Sequence, residues 1–323
     1  MKTLIVDQQN TELHYQGINL SVYCAGKKTN SVPVKQLERV IVSPHVIITA
    51  GVLGVLAEQK LSLLVLNARF PQRTAQLNND YSGDIERRLH QYQLTSHDHP
   101  FCLTIATRLV SLKIQHQQAL LNLAINKRPE LHHILSKASN QLKPLLEQLN
   151  NKTIDNLSSL NGIEGAAARC YFHAYTQLFA DSLHFTDRNR RPPKDPVNAI
   201  LSLSYTLLYH EAVNALKIYG LDPALGFYHQ PCYGRQSLAC DIIEPVRPYL
   251  DKLIWRLFAH QTLTTTHFVY EDNACFLTDA GKPIYYQWFF SRIKPIKRLL
   301  RRYALNLVNT INATSADSSA QWH

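Results

Sequence analysis

Glu12-Leu13-His14-Tyr15-Gln16-Gly17-Ile18-Asn19-Leu20-Ser21-Val22-Tyr23 decides how this chain begins. Two short β-forming runs, Glu12–Tyr15 and Ile18–Tyr23, flank Gln16-Gly17. That pair suits a tight hairpin, because glycine tolerates the positive φ such turns need. Working outward, Thr3–Val6, Arg39–Val42 and Leu61–Leu66 also read as strands. Ile47 to Gln59, rich in Ala, Leu and Val, reads as one short helix between strands. Residues 1–82 are expected to form a small β-rich domain.

From about Gly83 the pattern turns helical. Ile85–Thr95, Phe101–Asn126, Pro129–Leu149, Ile154–Leu157 and Gly162–Leu183 carry apolar residues at three- and four-residue spacing. A basic, proline-rich loop follows at Asp187–Asp195. Helices resume at Val197–Tyr219, from Ser237 onward and at Lys282–Val308, where Pro295 is expected to kink or divide the last one. The polar end, Ala313–His323, reads as frayed. The expected fold class is α+β, with a small N-terminal β-rich domain and then a larger all-α domain over 83–323.

The 323 residues carry 45% hydrophobic and 18% charged residues, which argues against wholesale disorder. No apolar run approaches the roughly 20 residues that span a bilayer. The start turns polar too soon for a signal peptide, so a cytoplasmic protein is expected. Cys24, Cys102, Cys170, Cys232, Cys240 and Cys275 form no C-x-x-C pair, which leaves a zinc ribbon without support and favours free thiols. A net charge of +10, with 15 histidines besides, favours a polyanionic partner: DNA, RNA or an anionic membrane surface.

Three segments hold polar residues in apolar surroundings. In Leu160-Asn161-Gly162-Ile163-Glu164-Gly165-Ala166-Ala167-Ala168, Glu164 sits near a run of small residues that lets a backbone or nucleic acid approach. Asn161 with Glu164 also resembles a capping box, which needs no chemistry. In Gly220-Leu221-Asp222-Pro223 running to His229, a histidine follows a turn. In Ser237-Leu238-Ala239-Cys240-Asp241-Ile242-Ile243-Glu244-Pro245-Val246-Arg247-Pro248, Ser237 suits an N-cap and Asp241 and Glu244 share a helix face. Two such carboxylates need a cation, a role Arg247 fills on a plain salt-bridged surface. Taken together, two carboxylates and an imidazole suit Mg²⁺ or Mn²⁺.

These segments, with Arg190-Arg191-Pro192-Pro193-Lys194-Asp195-Pro196-Val197-Asn198-Ala199 between the first and second, resemble four signatures of the CRISPR-associated spacer-acquisition integrase family. All four stand in the family's order. The resemblance implies that Glu164, His229 and Glu244 coordinate the ion and that Asp241 supports the catalytic set. It implies a homodimer joined through the N-terminal domain, and a small ferredoxin-like adaptation partner. The implied reaction is a transesterification, in which the 3′-hydroxyl of a short DNA fragment attacks a phosphodiester at the edge of a CRISPR repeat. Two other readings stay open: a nuclease that uses water as the attacking group, and a non-catalytic nucleic-acid-binding scaffold.

DNA would lie along basic stretches. Arg188, Arg190, Arg191 and Lys194 stand in the loop before Asn198, and arginine forks match phosphate oxygens. Asn198, Tyr171 and Tyr209 are candidates for hydrogen bonds near the site. Lys294, Lys297, Arg298, Arg301 and Arg302 gather on one side of the last helix. Lys113 on the long Phe101–Asn126 helix is a further candidate.

Overall fold

A computed structural model describes residues 2–77, 85–95, 100–151, 154–189 and 192–319. The chain divides into two compact units, Met1–Asp80 and Tyr81–His323. Residues 82 and 83, at the expected boundary, lie outside the described residues.

The first unit contains β1 (Lys2–Val6), β2 (Thr11–Gln16), β3 (Asn19–Cys24), β4 (Lys27–Pro33), β5 (Leu37–Val42), β6 (Ile47–Ile48), α1 (Ala50–Glu58), β7 (Ser62–Val65) and β8 (Ala75–Leu77). They form four-stranded sheets of order β1-β5-β7-β8 and β4-β3-β2-β6. β1, β5 and β7 run parallel, and their unbroken Leu, Ile and Val runs suit strands covered on both faces. A parallel pair needs a crossover, which α1 supplies between β5 and β7. Leu13, Leu20, Val40, Val52, Leu56 and Leu63 form part of the core. Gln16 pairs with Asn19, so the hairpin turn is Gly17-Ile18, with Gly17 at φ +61°. Ile18, expected in the strand, sits in that turn. β4 was not anticipated, because Lys27-Lys28-Thr29-Asn30-Ser31 is a polar, exposed edge strand without an apolar signal.

The second unit contains α2 (Ile85–Leu94), α3 (Pro100–Lys127), α4 (His132–Asn150), α5 (Leu157–Thr176), α6 (Pro196–Ile218), α7 (Ser237–Ile243), α8 (Arg247–Ala259), β9 (Phe268–Glu271), β10 (Ala274–Leu277), α9 (Gly281–Arg292) and α10 (Lys294–Ser319). The 28-residue α3 packs against α4, α5 and α8. α5 starts earlier than expected, because the Asn156 side chain accepts from Ser159 N at 2.8 Å and caps it. Asn161 is therefore inside the helix and Glu164 is no capping-box residue. Gln236, not Ser237, precedes α7; the Ser237 hydroxyl instead donates to Gln230 O at 2.9 Å. The hairpin β9–β10 was also unanticipated in a region read as all helical. Its turn, Asp272-Asn273, puts both residues at positive φ, which these side chains tolerate. Pro295 stands in the first turn of α10, where its missing N–H is no loss, and the last helices divide at Ile293. α10 continues to Ser319, past the expected fraying at Ala313. Among the described residues no helix is long and apolar enough to cross a membrane.

Candidate metal centre

Asp241, on α7, is fully buried and surrounded by donors. Its Oδ2 accepts from Phe227 N at 2.7 Å and Tyr228 N at 3.0 Å, and its Oδ1 from His229 N at 2.9 Å. Three backbone N–H groups thus engage both of its oxygens. The same Oδ1 lies 2.7 Å from His229 Nδ1. Asp241 thereby folds the segment 227–229 onto α7 and turns the imidazole so that Nδ1 carries the proton and Nε2 keeps its lone pair. The approach is close enough to require glycine nearby. A β-carbon at Gly226 would stand 2.5 Å from His229 O and 2.9 Å from Asp241 Oδ2.

Glu244 opens a short 3-10 turn between α7 and α8 and is 4% exposed. Its Oε1 pairs with Arg247 Nη2 at 3.0 Å. Its Oε2 is buried, lies 2.5 Å from Lys113 Nζ, and has no well-directed hydrogen bond. Glu164, on α5, is arranged likewise. Its Oε2 accepts from the Tyr228 hydroxyl at 3.0 Å, and its Oε1 pairs with Lys113 Nζ. Burial pushes the Glu244 carboxyl up, but Arg247, Lys113 and His229 outweigh it and hold the group down at about 2. Burial and the neighbouring Glu164 push the Tyr228 phenol far up, so it stays a donor.

Each candidate ligand thus has one polar atom fixed from outside: Glu164 by Tyr228, His229 by Asp241 and Glu244 by Arg247. Among the described residues, no three His, Cys, Asp or Glu side chains converge tightly enough to hold an ion as they stand. The two glutamates meet instead through Lys113, so a positive charge already stands between their inner oxygens. His229 adjoins Tyr228 and lies near enough to Glu244 for the two to interact. Two carboxylate oxygens at one cationic point, together with an imidazole nitrogen on the segment that carries Tyr228, are the donor types that a hard divalent ion takes.

Behind Glu244, Arg247 lies 4.8 Å from the Tyr205 ring centroid and Arg188 lies 5.6 Å from the same centroid. Asp251 accepts from the Tyr171 hydroxyl at 2.8 Å and from the Tyr205 hydroxyl. Burial pushes Asp251 up to about 6, against the two phenols, Arg247 and Arg188. Glu244 is buried and its partner Arg247 is backed by this aromatic network, which replaces the reading of a plain salt-bridged surface.

Several expected DNA contacts are corrected. Tyr171 is fully buried, with its hydroxyl committed to Asp251. Asn198 is also fully buried; its Nδ2 donates to Asp187 O at 2.8 Å and Asp195 Oδ2 at 2.6 Å, and it holds the loop before α6 together. Arg188 turns inward and donates to Asn198 Oδ1 at 2.7 Å. Tyr209 accepts from Gln236 N at 2.9 Å. Arg190 and Arg191 lie outside the described residues, and Lys194 is exposed. On α10, Lys294, Arg298, Arg301 and Arg302 are exposed, while Lys297 is half-buried and lies 3.5 Å from Glu211 Oε2. Ile296, Leu300 and Leu307 bury the other side.

Sequence reasoning missed Tyr228 and the true position of Lys113. A signal for Lys113 existed: Val110, Ile114, Gln117 and Leu121 mark the buried face of α3, and Lys113 falls on it. A lysine there needs a buried anion.

Comparison with known proteins bears on this arrangement. The sequence profile of the family described as CRISPR associated protein Cas1 matches residues 4–290. A CRISPR-associated endonuclease Cas1 from Thermodesulfovibrio yellowstonii is 36% identical over 301 residues, covering 89% of this chain and 91% of its own length. A chain of a solved Cas6-RT-Cas1–Cas2 complex is 25% identical with a TM-score of 0.82; the match covers 97% of this chain but 35% of that longer one. A casposase bound to integration product shares the fold, with a TM-score of 0.80 at 19% identity over 96% of this chain and 91% of that one.

Proposed function

The chain belongs to the Cas1 family of CRISPR-associated proteins, and we propose that it is a metal-dependent DNA integrase and endonuclease of CRISPR adaptation in the cytoplasm. One observation carries the reading: Glu164, His229 and Glu244 each have one polar atom fixed from outside, and the other oxygens of the two glutamates meet at the single cation of Lys113. Glu164 Oε1, Glu244 Oε2 and His229 Nε2 would hold Mg²⁺ or Mn²⁺. When bound, that ion supplies Lewis acidity at a phosphate oxygen and lowers the pKa of the attacking hydroxyl.

The protein's own groups do the rest. Arg247 and Tyr228 keep the two carboxylates oriented, and Asp241 keeps His229 in one tautomer. The exposed Arg298, Arg301 and Arg302 bind phosphates without reading sequence. In the joining step the 3′-oxygen of the fragment forms a bond to phosphorus at the repeat edge. The bond to the target strand's 3′-oxygen breaks, and that oxygen leaves as a hydroxyl. With water attacking instead, the same geometry gives the endonuclease activity named for the T. yellowstonii relative. The solved assembly containing Cas1 and Cas2 supports a small ferredoxin-like partner. Residues 1–82 are the proposed homodimer contact.

The test supplies a labelled fragment with a free 3′-end, a supercoiled repeat plasmid and Mn²⁺. Joined product is expected, and Glu244→Ala should abolish joining while DNA binding persists. Cleavage without joining would favour the nuclease reading. Joining left intact by Glu164→Ala and His229→Ala would favour a scaffold role for this site.

A further inference from the structure

Lys113 is a buried lysine between one buried and one half-buried carboxylate. It is 8% exposed, and its Nζ pairs with Glu164 and lies 2.5 Å from Glu244 Oε2. Arg247 balances Glu244 from its other oxygen. The two ligand carboxylates are therefore matched one for one by two cations. The remaining acidic group, Asp241, is taken up by three backbone N–H groups and the His229 ring. A divalent ion entering this arrangement meets a site that is already neutralised, with an ammonium between the two carboxylates.

Resting on the metal-site reading above, we propose that Lys113 is a tethered counter-cation that competes with the divalent ion for Glu164 and Glu244 and yields them when a DNA phosphate takes up its ammonium. Without such a cation, two carboxylates this close and this poorly solvated repel each other. Lys113 keeps them together before the ion arrives. Four rotatable bonds let a lysine ammonium swing off its partners, which a rigid guanidinium does less readily. An incoming phosphodiester brings the missing negative charge, so the ion and the DNA bind together more tightly than either alone. Metal occupancy is then conditional on substrate, which limits idle cleavage by the charged site.

The test reads Mn²⁺ binding by electron paramagnetic resonance, with and without a duplex whose 3′-ends are dideoxy-blocked so that no joining occurs. Wild type, Lys113→Gln and Glu244→Gln are compared. In wild type the duplex should tighten Mn²⁺ binding at least about tenfold. Without DNA, Lys113→Gln should bind Mn²⁺ at least about tenfold more tightly than wild type, because a unit charge a few ångströms away is removed from a partly buried site. The duplex should then add less. Equal or weaker Mn²⁺ binding by Lys113→Gln, with Glu244→Gln abolishing it, overturns the role of Lys113 and leaves the ligand set standing. Mn²⁺ binding that survives Glu244→Gln overturns the ligand set and this proposal with it. If Lys113→Gln does not fold, the wild-type comparison decides: equal Mn²⁺ affinity with and without duplex overturns the proposal.

Discussion

Asp241 holds His229 from two directions, accepting its backbone N–H at 2.9 Å and facing its ring Nδ1 at 2.7 Å through the same oxygen. An asparagine at position 241 can satisfy only some of these donors, because its amide nitrogen would face N–H groups. Asp241→Asn should weaken Mn²⁺ binding ten- to hundredfold, the usual range for lost outer partners of a metal-binding histidine. It should also cost about 1–3 kcal/mol of stability through unsatisfied buried donors. Metal titration and thermal unfolding check both. An unchanged Mn²⁺ affinity would remove Asp241 from the site's support.

Gly226 lets the His229 segment lie against α7. Gly226→Ala would drive a methyl group onto His229 O and Asp241 Oδ2. The expected result is a loss of about 1–3 kcal/mol from overpacking, together with loss of strand joining. Duplex affinity should persist, since the exposed basic residues of α10 are on another element. Filter binding beside a joining assay separates the two effects.

The exposed side of α10 makes a salt-dependent prediction. Arg298→Glu combined with Arg301→Glu should weaken binding to every duplex sequence. The slope of log K against log salt should become shallower by about 2, since each neutralised phosphate contributes about 0.9. Unchanged affinity at low salt would take α10 off the DNA path.

Asp251 gives a pH signature of folding. Its folded pKa, about 6, lies above the ordinary 3.8 because burial outweighs its phenol and arginine neighbours. The folded state therefore holds the proton more tightly than the unfolded state. The stability this proton contributes is fully present below about 3.8 and is lost as the pH rises through about 6. The linked change is at most about 3 kcal/mol. Asp251→Asn should flatten that part of the stability curve in urea titrations at pH 4 to 7. An identical slope in both proteins would show that Asp251 does not titrate there.

Much of the fold was legible because short apolar runs mark Arg39–Val42 and Leu61–Leu66 and a period-3.6 pattern marks the run from Phe101. β4 was not, because an exposed edge strand has no apolar face to betray it. The β9–β10 hairpin was hidden by neighbours that read as helix, although Asp272-Asn273 is a turn signal. At the site, residue types and order pointed to Glu164, His229, Asp241 and Glu244. Of their partners, Tyr228 was invisible in a segment that looks like ordinary core, whereas Lys113 carried a signal in falling on the buried face of α3. Tyr171 and Asn198 were misassigned for the same reason: a polar side chain committed to the interior has no different letter from one offered to a ligand.

Tyr205 stands against two guanidinium groups at once, one from the loop ahead of α6 and one that steadies Glu244. A single ring therefore serves two masters. Any drift at this position in the lineage must satisfy a surface segment and an interior acid together, so the pair of arginines and the ring should change as a set or not at all.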